Sequence, residues 1–171
     1  LTYDGGKLVQ AATRGNGIVG EGILAQAKTI RSIPQTVQYN GKFEVRGECF
    51  MKLSVLEELN KTGDEQLKNA RNAAAGAIRN LDPRVTASRR LDCACYNVGY
   101  IEGRRFETRR EMYDFMRENG LPMSDFTYYG GIDDVIAEIE KMPERREKLD
   151  FLIDGMVVKL NDIRLFEELG F

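Results

Sequence analysis

The stretch "NARNAAAGAIRNLDPR", residues 69–84, decides how this chain is read. Alanine loses no side-chain entropy in a helix, so the run predicts a helix from about Asn72 to Asn80. Asp82-Pro83 closes it, because proline has no N–H to continue the ladder. Arg71 and Arg79 stand eight residues apart, a little over two turns, and so lie close to one face.

Working outward, "LTYDGGKLVQAATRG" holds two short strand-like runs joined by Asp4-Gly5-Gly6, the pattern of a tight hairpin. "NGIVGEGILAQAKTIRSIP" is rich in glycine and ends in a short helical patch before Pro34. "FEVRGECFM" alternates polar and apolar residues as a strand crossing Gly47. "KLSVLEELNKTGD" has Leu53, Leu56 and Leu59 at helical spacing, with Ser54 as the expected cap and Gly63 as the stop. "LDCACYNVGYI" predicts a strand with Cys93, Cys95 and Asn97 on one face and Ala94, Tyr96 and Val98 on the other. Two amphipathic helices follow, Thr108 to Asn119 and Ile132 to Arg146, and "FLIDGMVVKL" reads as a closing strand. Strands and helices are mixed without strict alternation or internal repeat, so the expected class is α+β, with largely antiparallel sheets flanked by helices.

The 171 residues suffice for one compact domain without a disulfide or metal staple. A composition that is 42% hydrophobic and 30% charged is that of a globular chain, and no stretch approaches the roughly 18 apolar residues of a membrane span. Cys49, Cys93 and Cys95 show no C-x-x-C spacing, which argues for reduced thiols in the cytoplasm and against a zinc site. The chain has no histidine, so Ser-His-Asp and Cys-His catalysis are excluded. The opening "LTYDGGKLVQ" has neither an initiator methionine nor a targeting pattern and is expected to be cut from something longer. A net charge of −2 hides a basic cluster: Lys68, Arg71, Arg79, Arg84, Arg89 and Arg90 against Asp82 alone.

Each polar motif has a plain structural reading: "TRGNG" as a loop, "VRGE" as an exposed strand face, "IDGMVVK" as an edge strand with a solvated lysine. Together they suit a nucleotide. Arg14, Arg71, Arg79, Arg146 and Lys159 supply positive charge for phosphate oxygens. Glu48 and Asp154 can accept from ribose hydroxyls or hold a hydrated Mg²⁺, and Tyr96 offers a ring for a base. Neither a P-loop nor a G-x-G-x-x-G turn is present.

The order and wording of these motifs add a family. "TRGNG", "EVRGECF", "NARNAAAGAIRNLDPR", "GLP.S" and "IDGMVVKLND" together resemble the nucleotidyltransferase (adenylation) domain of bacterial NAD-dependent DNA ligases, over almost all of the chain. The resemblance implies an enzyme that seals nicked double-stranded DNA. A lysine in a K-x-D-G motif takes AMP from NAD, AMP passes to the 5′-phosphate, and the 3′-hydroxyl displaces it. It implies Arg14, Glu48, Tyr96, Lys159 and Arg146 as NAD/AMP-binding residues, with Glu48 on the ribose and Tyr96 on adenine. It implies Lys159 and Asp154 as supporting catalytic residues, and Arg71 and Arg79 as DNA-binding residues. Mg²⁺ is the implied cofactor, with zinc expected only in another part of a parent ligase. A cytoplasmic monomer is expected.

K-x-D-G does not occur in these residues; "TYDGG" has no lysine at the required place and is read as the hairpin turn. The expectation is therefore a single partial adenylation domain over residues 1–171, without that motif upstream and the last lysine motif downstream, and inactive alone in self-adenylation. The alternative is a non-catalytic nucleotide- or DNA-binding module that keeps the fold. Asn16, Gly22, Gln26 and Ala70 depart from the residues usual in the family, which bears on the geometry of the loop from 15 to 30.

Overall fold

The computed structural model describes residues 1–63 and 65–170; Asp64, at the end of one expected helical run, and Phe171 lie outside the described residues. Strands β1 (Thr2–Asp4) and β2 (Lys7–Gln10) form the expected hairpin. Gly5 and Gly6 both take positive φ, 56° and 75°, as a two-residue turn between right-twisted strands requires. β1 also pairs with β3 (Phe43–Phe50), and β3 with β4 (Asp92–Ile101), giving an antiparallel sheet of order β2-β1-β3-β4.

One face of this sheet carries the core. Tyr3 and Phe43 are fully buried and their rings stack at 5.1 Å, while Phe115 meets Phe43 edge-on at 5.2 Å. Tyr3 keeps its hydroxyl satisfied by donating to the Pro34 carbonyl at 2.7 Å. Helix α1 (Leu24–Ala27) contributes Ala27 to the same core, and α2 (Leu53–Thr62) lays Leu53, Leu56 and Leu59 against it.

Helix α3 spans Ala70–Ile78, two residues earlier than its alanines suggest, because the Asn69 side chain caps it by accepting from Asn72 N–H at 2.8 Å. Ala70, Ala74, Ala77 and Ile78 are buried, so a nearly side-chain-free face lies close on β3. Asp82-Pro83 does more than stop this helix. Asp82 caps α4 (Pro83–Ser88), with Pro83 in the first turn where its missing N–H costs nothing.

Helix α5 (Arg109–Glu118) starts at a capping box in which Thr108 and Glu111 satisfy each other's backbone N–H groups. It ends at Gly120, whose φ is 68°, with Leu121 N–H reaching back to Met116. Met112, Phe115 and Met116 bury its inner face. The expected single helix from Ile132 to Arg146 is two, α6 (Ile132–Glu140) and α7 (Met142–Arg146), divided where Pro143 removes a donor from the ladder. A last helix, α8 (Ile163–Leu169), is capped by Asp162.

Two further expectations are corrected. Ser54 does not cap α2 with its own side chain; its N–H and hydroxyl bond instead to Asp150, so the cap comes from 96 residues away. "FLIDGMVVKL" pairs with no strand among the described residues. A strand needs a neighbour's donors and acceptors, and at Cys95 the outer edge of β4 is already used: its N–H donates to the Pro122 carbonyl at 2.7 Å.

Gly76 sits inside α3 with an ordinary φ, and a Cβ there would meet nothing within 4 Å. Gly76→Ala is expected to stabilise the domain by about 0.5–1 kcal/mol, raising Tm by roughly 2 °C in calorimetry; an unchanged or lower Tm contradicts this placement.

Candidate adenylate site and basic cleft

The outer face of the β3–β4 pair is the first place where expected site residues meet. Cross-strand partners share a face, and Glu48 stands across from Ala94, one pleat along from Tyr96. The register shifts between Arg46 and Gly47, which leaves Tyr96 as an extra residue in β4. The bulge interrupts the expected alternation: Tyr96 is 45% exposed, whereas Val98 packs against the core with Cys93 and Cys95. Gly47 has a steric reason to lack a side chain, since a Cβ would lie 3.0 Å from the Ala94 carbonyl oxygen and 3.2 Å from the Cys93 sulfur.

Above this face runs the segment from Asp150 to Asp162, fixed at both ends. At one end Leu53 N–H donates to the Asp150 carbonyl at 2.8 Å, Ser54 N–H donates to its carboxylate at 2.8 Å, and the Phe151 ring rests on Phe50. At the other end, α5 holds it. Arg109 is only 8% exposed; its Nε donates to the Leu160 carbonyl at 3.0 Å, its N–H donates to the Asn161 carbonyl at 2.8 Å, and its guanidinium lies 4.4 Å from the centre of the Phe166 ring. Ile163 N–H closes the joint by donating to the Glu107 carbonyl.

Held this way, Lys159 places its Nζ 5.6 Å from the centre of the Tyr96 ring. Partial burial lowers its affinity for the proton below the ordinary lysine value, and the charge of Arg109 lowers it further. The ammonium is thus short of hydration and has no carboxylate partner among the described residues. An anion entering over Tyr96 would relieve both conditions. Asp154 is exposed on the same run, and Arg146, the last residue of α7, is also exposed; neither forms an ion pair among the described residues.

Arg14 and Arg79 meet elsewhere. They line a cleft of about 500 Å³ with Thr13, Val19 and Glu21, between the loop after β2 and the end of α3. Arg71 is exposed at the start of α3, on the face that also carries Ala75 and Arg79. The basic cluster divides in space: Arg84, Arg89 and Arg90 are engaged by Asp82, Glu65 and Glu58, while Arg14, Arg71 and Arg79 make no ion pair among the described residues.

The model of the NAD-dependent DNA ligase adenylation domain matches residues 1–171. The chain belongs to this family. It is 53% identical to a DNA ligase of Alkaliphilus metalliredigens, 54% to one of Alkaliphilus oremlandii and 47% to one of Finegoldia magna, in each case over all of its own length and 26% of the relative's. The chain spans about a quarter of the curated relatives it matches. No helix among the described residues is long and apolar enough to cross a membrane.

Three of the four departures from the family pattern, Asn16, Gln26 and Ala70, are accommodated. Asn16 organises its loop by accepting from Ile18 and Val19 N–H, as an aspartate would. Gln26 donates to the Asn80 carbonyl at 2.8 Å, tying α1 to the α3–α4 turn. Ala70 is the first residue of α3, where proline is equally at home. The residue that sequence reading missed is Arg109. In "TRRE" it looks like a solvated helix-start cation, and nothing local marks it as the clamp on residues 160–161.

Two outcomes follow. Asp150→Ala should cost about 1 kcal/mol through loss of the distant cap, measured by urea unfolding; no change would mean the carboxylate adds nothing to the backbone and ring contacts at that end. Lys159, followed through its ε-carbon shift, should titrate below about 10.4. The unfolded chain then holds the proton that the folded chain has lost, so stability should rise with pH between the depressed value and about 10.4. Lys159→Met should flatten that rise.

Proposed function

We propose that this chain is the nucleotide-handling core of an NAD-dependent DNA ligase that seals nicks in duplex DNA. The observation that carries the reading is the Lys159 ammonium suspended over the Tyr96 ring, with Glu48 on the adjoining strand and the same face. An aromatic platform, a carboxylate for ribose hydroxyls and a poorly hydrated cation for the phosphate are the three contacts that AMP requires.

In the reaction, the lysine of a K-x-D-G motif, which does not occur in these residues, attacks the adenylyl phosphorus of NAD. A P–N bond forms, the anhydride P–O bond breaks, and nicotinamide mononucleotide leaves. AMP is then taken by the 5′-phosphate of the nick and finally displaced by the 3′-hydroxyl. Tyr96 stacks on adenine, Glu48 accepts from the ribose, and Lys159 neutralises charge that builds on the transferring phosphate. Arg146 serves the nucleotide phosphates, Arg14 a nucleotide or a DNA phosphate, and Arg71 and Arg79 the DNA.

No group of three or more metal-ligating side chains converges among the described residues, so a closed metal cage is not what this chain offers. Mg²⁺ ordinarily needs only one or two carboxylates plus substrate phosphates, and exposed Asp154 suits that role. Such an ion would offset phosphate charge. By this reading residues 1–171 are one partial adenylation domain, working in the cytoplasm as part of a monomer.

The chain alone, incubated with NAD and Mg²⁺ and weighed intact, should carry no AMP; a lysine-linked adduct would falsify the assignment of the nucleophile. In the full-length protein, Lys159→Ala and Glu48→Ala should reduce self-adenylation about a hundredfold or more, while Arg71→Ala and Arg79→Ala should impair nick sealing more than self-adenylation. Equal loss in both steps would count against a DNA role for the two arginines.

A further inference from the structure

The cleft that holds Arg14 and Arg79 is bordered by two turns that each push an aliphatic side chain into water. Ile18 is 92% exposed and Leu81 96% exposed. Neither turn is loose. Asn16 Oδ1 accepts from Ile18 N–H at 2.9 Å and Val19 N–H at 2.8 Å, Gly17 N–H donates to the Arg14 carbonyl, and Thr13 N–H donates to the Glu21 carbonyl at 2.9 Å. The second turn repeats the device. Asn80 Oδ1 accepts from Asp82 N–H at 2.9 Å, the Asn80 carbonyl accepts from Gln26, and Asp82 accepts from both the N–H and the guanidinium of Arg84.

A flexible loop could turn such side chains inward. These backbones are tied, so the exposure is built in, and it has no internal purpose. The charges nearby say what covers it. Arg14 and Arg79 are free of ion pairs among the described residues, and the carboxylates present are Glu21 in the cleft and Asp82, which is occupied by Arg84. A protein-binding patch is depleted of charge at its centre. Here the cleft carries two arginines beside Glu21, and the turns next to it in sequence expose the aliphatic side chains. A DNA strand has the matching order, with phosphates separated by the C–H faces of deoxyribose, and aliphatic side chains beside arginines are how minor-groove surfaces are met.

We propose that Ile18 and Leu81 are apolar contacts with the deoxyribose edges of duplex DNA whose phosphates lie on Arg14 and Arg79. The proposal rests on the ligase reading above and adds two residues that no phosphate-binding argument selects. It also divides the labour: the arginines supply salt-dependent affinity, and the two aliphatic side chains supply a component that salt does not screen.

That division is the test. In the full-length protein, affinity for a fluorescein-labelled nicked duplex is measured by anisotropy across a salt series, with thermal melts confirming that each variant folds. Ile18→Ala and Leu81→Ala should each weaken binding about tenfold at every salt concentration, with the slope of log K against log salt unchanged. Arg79→Ala should reduce the magnitude of that slope by about 0.9, the loss of one phosphate contact. Wild-type affinity in both apolar variants, or a slope altered as in Arg79→Ala, would overturn the proposal and leave the ligase reading intact. So would unchanged DNA affinity combined with loss of self-association, which would assign the two side chains to a protein contact. A wild-type protein that binds no nicked duplex would overturn both.

Discussion

The pairing of β3 with β4 is the constraint on which the rest depends. Cys93 and Cys95 must face inward beside Val45 and Phe43, because a one-residue slip would put the whole apolar set into water. That requirement sends Glu48 and Tyr96 outward. The bulge between Arg46 and Gly47 then lets Val98 return to the core without turning Tyr96 inward. One sheet thus has a dry face set by burial and a polar face set by consequence, and the polar face needs no separate device to orient its ring and carboxylate.

The segment that brings Lys159 to this face is organised differently. It has no strand partner among the described residues, and Leu152, Val157 and Val158 remain exposed. Its position comes from its ends: a serine–aspartate joint to α2, and the clamp of α5 through Arg109 on the carbonyls of Leu160 and Asn161. Lys159 directly precedes the clamped Leu160, so the α5 joint fixes its backbone while Asp150 holds the far end of the segment. A lysine held in this way suits the phosphate contact proposed for it. The burial of Arg109 is tolerable because its charge lies on the Phe166 ring and two of its donors face main-chain oxygens.

Much of this was legible wherever the cause is local. Asp4-Gly5-Gly6, the Thr108–Glu111 capping box and Gly120 before Pro122 act within a few residues, and the hairpin and α5 stand where the pattern puts them. What failed was non-local. Whether residues 151–160 form a strand depends on a neighbour's free edge, the bulge at Tyr96 depends on Gly47 across the sheet, and the cap of α2 is Asp150. The site followed the same rule. Lys159 and Tyr96 converge, as do Arg14 and Arg79, but the clamp of Arg109 is written in no motif, since its partners are main-chain oxygens that every residue carries.

Charge completes the argument. A net charge of −2 and a run of six basic residues between Lys68 and Arg90 look contradictory until their partners are seen. Arg84, Arg89 and Arg90 are paired with Asp82, Glu65 and Glu58. Arg71 and Arg79 are left over on a helix whose opposite face is too small to move against β3. Their backbone spacing is therefore set before any ligand arrives, and in the DNA contact proposed for them mainly side-chain ordering would oppose binding. A phosphate backbone is a fixed, repeating array of charge, and it is met most efficiently by cations whose separation is set by a helix rather than by flexible loops.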